Sequence, residues 1–316
     1  MKLGIIGYGN LGKGLHQSLL DKKHEITVSD SFENNVDVIS KSDIIFCCVN
    51  TEILPSNIFD IKNVMDVVED FGVAFEEEIP LSEKILVICS TLNPGDTKEI
   101  TNILSPMNLR VCYVPFIIST ESIVNSIQNQ ERIIIGSIEP SVIFTIGTLL
   151  NEIQKKSVPI VSMTTKSAEL TKLLISSYIA YKINFANMVG ELLTNNGLFD
   201  EIKLVTDTLS GHNVIGKSNF NYGHSFGGPY LPSENRVLGE FCNKNNLEFI
   251  LPYVTEDFNT QHSGFIKKYY VKINEDKQPF IVDGLGYKDT STDTTESPKL
   301  NLVYDLLKDG FTVYIL

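Results

Sequence analysis

Basic residues are scarce in this chain: 26 Lys and Arg stand against 39 Asp and Glu, a formal net charge of −13 over 316 residues. Nucleic-acid and anionic-membrane surfaces need basic patches, so the balance argues against both kinds of partner. It leaves room for one anionic ligand, because a helix N-terminus can hold that without a net positive surface. No apolar run approaches the ~20 residues that cross a bilayer, and a strand expected from Lys2 leaves no signal peptide. The five cysteines (Cys47, Cys48, Cys89, Cys112 and Cys242) contain no CxxC pair, and four fall in apolar strand-like runs. They read as small buried hydrophobes of a reducing compartment. Internal repeats and low-complexity segments are absent, and no metal site is expected. Hydrophobic residues at 42% and charged residues at 21% are ordinary for a globular chain with room for two or three modest domains. These features predict a soluble, cytoplasmic protein.

The first ~160 residues alternate short apolar runs with amphipathic stretches, the signature of a doubly wound, mostly parallel sheet. Strands are expected at Lys2–Ile6, Glu25–Ser29, Ile44–Val49, Lys84–Cys89, Val111–Val114, Arg132–Gly136 and Pro159–Met163. Helical patterns lie between several of them, for example Asn10–Leu20 and Asp96–Leu104. From Ser167 to about Asn195 the pattern changes to helical spacing, with Leu170, Leu173, Leu174, Tyr178 and Ile179 on the repeat. A helix of ~28 residues would run ~42 Å, long enough to bridge domains or to form a dimer spine. Shorter helices are expected at Phe199–Leu209, Glu234–Asn243 and Pro252–Val271, with a Gly-rich loop over Asn221–Pro232. The tail reads as a β-α-β unit: Phe280–Gly284, Pro298–Lys308 and Thr312–Leu316. The expected fold is therefore α/β: a Rossmann-like domain over 1–163, a helical domain over 164–275 and a truncated C-terminal unit over 276–316.

Gly7-Tyr8-Gly9-Asn10-Leu11-Gly12 follows an apolar strand and opens a helix, the full context for a dinucleotide-binding G-x-G-x-x-G. Gly7 permits the tight turn, Gly9 lets the backbone approach a pyrophosphate, and Gly12 lets helix and strand pack closely. Asp30 ends the second strand about 20 residues on, where a carboxylate accepts hydrogen bonds from a ribose and repels a 2′-phosphate. NAD is the expected cofactor, held by Gly7, Gly9, Asn10, Leu11, Gly12, Asp30, Val49 and Thr91. The alternative is a glycine turn that binds nothing.

At Ser90-Thr91-Leu92-Asn93-Pro94-Gly95-Asp96-Thr97 the chain resembles the Ser-Thr-x-x-Pro-Gly-Thr segment of the nucleotide-sugar (UDP-glucose/GDP-mannose) dehydrogenases. Ala168-Glu169-Leu170-Thr171-Lys172, continuing to Lys182–Asn187, is similar to that family's central helix. Phe226-Gly227-Gly228 with Pro232 resembles its glycine-rich active-site loop, and Asn259 with Gln261, one residue closer together, its N-x-x-Q pair. Gly284–Lys288, Thr292-Asp293 and Glu296-Ser297-Pro298 resemble the start of its C-terminal domain. The resemblance implies NAD, a nucleotide-sugar substrate and a homodimer through the long helix. It implies catalytic roles for Lys172 at the developing alkoxide, Thr91 in orienting water, and Glu234 in place of the loop aspartate.

The departures are specific. Tyr230 occupies the place of the family's nucleophilic cysteine, Phe116 that of a carboxylate, Ser176 that of an asparagine, and Thr295 that of an arginine that reaches the nucleotide sugar. The insertion after the second strand is reduced to Ser31–Lys41. A phenol of pKa ~10 does not replace a thiolate, so the covalent route to an acid is missing. Cys242, in a helical pattern, reads as structural. Tyr230, His224 and Lys288 are the expected substrate contacts, Lys288 together with Tyr287. Each polar candidate has a bland alternative: Lys172 a solvated helix residue, Thr91 an N-cap, Glu234 a first-turn charge, His224 an exposed loop side chain, Tyr230 a plug. The leading expectation is an NAD-dependent dehydrogenase limited to one two-electron step on a CH–OH group. The alternatives are a non-catalytic NAD-binding protein, a nucleotide-sugar 6-dehydrogenase with an unidentified nucleophile, and a 6-phosphogluconate/3-hydroxyacid-type dehydrogenase.

Overall fold

A computed structural model describes residues 1–30, 34–77, 84–118 and 122–316. The chain divides into two units, Met1–Lys172 and Leu173–Leu316.

The first unit is built on short strands with apolar side chains on both faces. Its elements are β1 (Lys2–Ile6), α1 (Asn10–Leu19), β2 (Glu25–Ser29), α2 (Asn35–Lys41), β3 (Ile44–Cys47), β4 (Glu52–Ile53), β5 (Phe59–Asp60) and α3 (Lys62–Glu76). There follow β6 (Ile85–Ile88), α4 (Asp96–Leu104), β7 (Arg110–Tyr113), α5 (Ile123–Gln128), β8 (Ile133–Gly136), α6 (Pro140–Glu152) and β9 (Ile160–Met163). Every residue of β3, β6 and β8 is buried, as expected for strands covered by helices on both sides. The seven-stranded sheet has the order β2-β1-β3-β6-β7-β8-β9. Its first five strands are parallel, β8 runs antiparallel to β7, and β9 is parallel to β8. The chain leaves β1 toward β2 on one side and then returns to β3 on the other. That reversal leaves a crevice at the carboxyl ends of β1 and β3, where ligands bind in open α/β sheets.

The core is closed by Leu15 and Leu19 from α1 and by Ile146 and Leu149 from α6. The five free cysteines are buried, and burial pushes the Cys47 thiol up to about 12. Cys48 and Cys89 lie just beyond the strands that were expected to contain them. Of the short connection Ser31–Lys41, residues 31–33 lie outside the described residues and the rest forms mainly α2.

The helix α7 (Thr165–Asn195) begins in the first unit and continues through 31 residues. In the second unit it is followed by a 3-10 turn at Phe199–Glu201, then α8 (Ile202–Gly211), α9 (Leu231–Lys244) and α10 (Leu251–Ile273). The expected single helix from Phe199 therefore starts as a tighter turn. The expected loop over Asn221–Pro232 ends at Tyr230, because Pro232 sits in the first turn of α9. A proline is tolerated there, where its missing N–H has no helical acceptor to lose. The unit closes with β10 (Phe280–Val282), α11 (Pro298–Lys308) and β11 (Val313–Ile315), two parallel strands joined by a helix. Among the described residues no helix is long and apolar enough to cross a membrane, and no group of three His, Cys, Asp or Glu is placed to hold a metal ion.

Candidate functional site

The glycine turn sits at the crevice described above. Gly7 has φ +91°, and a Cβ there would lie 2.6 Å from the Cys48 carbonyl carbon and the Val49 nitrogen. A Cβ on Gly12 would overlap the Gly7 carbonyl oxygen, so α1 starts as close to β1 as backbones allow. Gly9 faces open space and caps α1 without a side chain, while Asn10 is exposed and Leu11 half-buried. The first turn of α1 carries no acidic residue, so its free N–H groups keep their full attraction for an anion. Asp30 stands beside this turn: its Oδ1 accepts the Tyr8 amide at 2.8 Å. The Tyr8 hydroxyl lies 2.6 Å from His16 Nδ1, which holds its ring along α1.

The neighbouring strand ends are tied to each other. Ser90 Oγ donates to the Val49 carbonyl at 2.7 Å, and Thr51 Oγ1 donates to the Thr91 carbonyl at 2.8 Å. Thr91 is not an N-cap, since α4 is capped by Gly95 with φ +119°. The α4 N-terminus is instead filled by a distant carboxylate. Glu169, fully buried, accepts from the Gly95 amide at 2.6 Å, the Thr97 amide at 2.8 Å and Thr97 Oγ1 at 2.5 Å. Of these two helix starts at the sheet's carboxyl edge, α4 is capped by a carboxylate and, among the described residues, α1 is not. Asp96 accepts from the Asn93 amide and Nδ2, both at 2.9 Å, while burial, with Glu169 and Glu99 nearby, raises its pKa to about 6. Lys172, one turn beyond Glu169, is buried, which removes the reading of a solvated helix lysine.

In the second unit the glycine-rich segment is held by side chains on two helices. From α7, Asn187 accepts the Gly223 amide at 3.0 Å and donates to the His224 carbonyl at 3.2 Å. From α10, Asn259 takes the Phe226 amide and gives to its carbonyl, both at 2.9 Å. Gln261, the other residue of that motif match, is exposed and donates back to Asp257. Residues i and i+3 share a helix face, whereas i and i+2 do not, and the residue three beyond Asn259 is His262. It is fully buried between Phe258 and Phe265, with Nδ1 2.6 Å from Glu191 and Nε2 2.7 Å from the Gly223 carbonyl.

The same segment is backed by the tail. Gly228 (φ +88°) donates to the Thr295 carbonyl at 2.9 Å, and a Cβ on it would strike the Tyr287 ring at 2.6 Å. Arg236 of α9 grips Glu296 with both guanidinium nitrogens, at 3.0 and 2.5 Å. Tyr230 is half-buried; burial, then the charge of Glu234, raises its phenol above the ordinary value. Glu234 does lie in the first turn of α9, but buried rather than exposed. His224 is half-buried, and burial followed by the Lys299 charge lowers its pKa. Lys288 lies with its ammonium 5.4 Å from the Tyr287 ring centroid.

Sequence reasoning passed over Glu169, Asn187, His262 and Arg236. Glu169 and Asn187 lie within the family-like segments of α7, and an acid beside the apolar positions Ala168 and Leu170 is the sequence signal for the first.

The sheet order, the glycine turn at its reversal point and the acid at the end of β2 define a Rossmann-type dinucleotide-binding domain. Residues 13–158 match the model of the UDP-glucose/GDP-mannose dehydrogenase family, NAD binding domain, and residues 166–261 that family's central domain. The chain belongs to the UDP-glucose/GDP-mannose dehydrogenase family. It is 24% identical over 307 residues to the UDP-glucose 6-dehydrogenase of Rickettsia bellii, covering 94% of this chain and 69% of that protein. It is 22% identical to the GDP-mannose 6-dehydrogenase of Pseudomonas aeruginosa, covering 100% of this chain and 80% of that one. In fold it is similar to a UDP-glucose dehydrogenase from Pyrobaculum islandicum, with a TM-score of 0.82 and 20% identity over 99% of this chain and 81% of that structure.

Two outcomes follow from this packing. Asp96 binds its proton more tightly folded than unfolded, where the value is about 3.9, so its contribution is greatest in acid and is lost as pH rises through about 6. Urea unfolding across this range is expected to show wild type losing stability relative to Asp96→Asn between about pH 4 and 6. A Cβ on Gly190 would overlap the Tyr222 ring, so Gly190→Ala is expected to cost about 1–3 kcal/mol in the same assay.

Proposed function

We propose that this protein is an NAD-dependent oxidoreductase that carries a sugar-like alcohol, in the first instance a nucleotide sugar, through a single two-electron step. The observation that carries the reading is the α1 N-terminus: uncapped, free of acid and flanked by Asp30 at the crevice of a family NAD-binding domain. The fit is good on the chain's own terms, since Gly9 leaves open space where a pyrophosphate needs backbone approach. Gly7, Gly9, Asn10, Leu11 and Gly12 would hold the diphosphate and Asp30 the adenosine ribose, with Val49 and Thr91 along the remainder. NAD, when bound, supplies the acceptor for the two electrons and the hydrogen leaving carbon.

Lys172 then has a defined task. As an ammonium, the buried Lys172 would stabilise negative charge on the substrate oxygen as the C–H bond breaks; as a neutral amine it would take the hydroxyl proton directly or through water. The Thr91 hydroxyl orients that water. In the second unit, Glu234 is the proposed water-orienting carboxylate in the place of the family's loop aspartate, and Tyr230, His224 and Lys288 are the proposed substrate contacts. Burial keeps His224 toward its neutral form and Tyr230 toward its phenol, so both offer hydrogen bonds rather than charge to a sugar hydroxyl. With a phenol in the loop and no thiolate, the product is the carbonyl compound and not the acid.

The long helix supports a homodimer. Leu174, Tyr178, Phe185, Met188 and Leu192 are all exposed and recur at helical spacing over ~27 Å of α7. A second copy presenting the same stripe would bury it. Buried free thiols suit a cytoplasmic location.

One equivalent of NADH per substrate is expected from assays over a panel of UDP- and GDP-sugars; two equivalents with an acid product would restore the full 6-dehydrogenase chemistry, and NAD binding without turnover would leave a non-catalytic binder. Lys172→Ala is expected to retain NADH affinity and lose about 10²–10⁴-fold in kcat. Sedimentation should give a dimer for wild type and a monomer for the Phe185→Asp, Leu192→Asp double variant. A monomeric wild type overturns the dimer.

A further inference from the structure

We infer that Glu169 is a positioning residue that locks the Ser90–Thr97 segment to the start of α7 and so holds Thr91 and Lys172 in register; the catalytic part of this rests on the function proposed above. A helix N-terminus is normally capped by its own N-cap side chain. Gly95 has none, and its φ of +119° excludes most L residues. The local acid Asp96 is turned to Asn93 instead. The cap comes from 74 residues away, with Glu169 Oε2 on the Gly95 amide and Oε1 on both the amide and hydroxyl of Thr97.

Both carboxyl oxygens are thus committed to one helix start inside the protein. The positive end of α4 adds to the attraction. Glu169 lies on the α7 face that also carries Lys172, three residues on. Thr91 lies near the start of the same Ser90–Thr97 segment whose far end Glu169 grips. One side chain therefore fixes a proposed water-orienting hydroxyl and a proposed catalytic ammonium against a common anchor. An amide cannot replace the carboxylate: Glu169→Gln leaves one oxygen and puts an NH2 group in the place of the other, facing a backbone N–H.

The test uses the full chain with Glu169→Gln, Thr97→Val and Thr97→Ser, read by amide hydrogen exchange and by NADH fluorescence. Glu169→Gln is expected to exchange at least about tenfold faster in both 90–97 and 165–172, with β1 and β8 unchanged. Thr97→Val is expected to show the same pattern more weakly, and Thr97→Ser, which keeps the hydroxyl, to behave as wild type. NADH affinity at the α1 site should stay within about threefold for Glu169→Gln, while emission of the bound nicotinamide moves toward that of free NADH. Faster exchange confined to α4, or spread evenly over the sheet, overturns the inference, as does an unchanged emission spectrum. If Glu169→Gln does not fold, the two Thr97 variants decide by the same criteria. Failure of the wild type to bind NADH overturns the proposed function instead, and the exchange pattern still decides whether Glu169 locks the two segments.

Discussion

Contact between the Gly12 position and the Gly7 carbonyl is the constraint on which the first unit's chemistry depends. No side chain fits between them, so α1 begins hard against the end of β1 and its free N–H groups converge on the crevice. The parallel pairing of β1 with both β2 and β3 sets the surroundings of that point. One neighbour delivers Asp30, and the other ends at Cys48 and Val49, whose backbone leaves Gly7 no room for a Cβ. The sheet's hydrophobic burial thus becomes, at one edge, a fixed arrangement of backbone donors and a carboxylate. Electrostatics decides the rest, because α4, the other helix start described there, is already neutralised from within.

The parts of this arrangement differ in how far the sequence betrays them. β1, β3, β6 and β8 were legible because strands covered on both faces are runs of Ile, Leu and Val with no alternation. The glycine turn was legible because each glycine answers a separate steric demand. The β4–β5 hairpin was not, since two-residue strands carry no periodicity. The start of α9 was missed because Pro232 reads as a loop residue, although a proline in a first turn loses no hydrogen bond. Asn259 was found and its partner was not: the sequence offers Gln261 as the chemically similar choice, while helix geometry puts His262 on the same face. Long-range caps such as Glu169 on Gly95 are invisible to any local rule, because the two residues lie 74 positions apart in the chain.

The second unit uses polar side chains where the first uses bare backbone. Its glycine-rich segment has little apolar surface of its own to bury, so Asn187, Asn259 and His262 satisfy its amides and carbonyls one by one. Small residues then admit large neighbours, Tyr222 over Gly190 and Tyr287 over Gly228. A segment held in this way carries Tyr230 and His224, the proposed substrate contacts, on a hydrogen-bonded framework.

The grip of Arg236 on Glu296 gives the tail a role beyond its size. Glu296 adopts a left-handed backbone, φ +47°, which a non-glycine residue keeps only under external hold. A truncation between α10 and Tyr287 would strip Gly228 of its acceptor, uncover the face of the glycine-rich segment that Tyr287 shields, and leave a guanidinium facing Glu256 alone. The tail is thus an integral wall of the loop, and shortened versions of the chain should be judged as loop mutants.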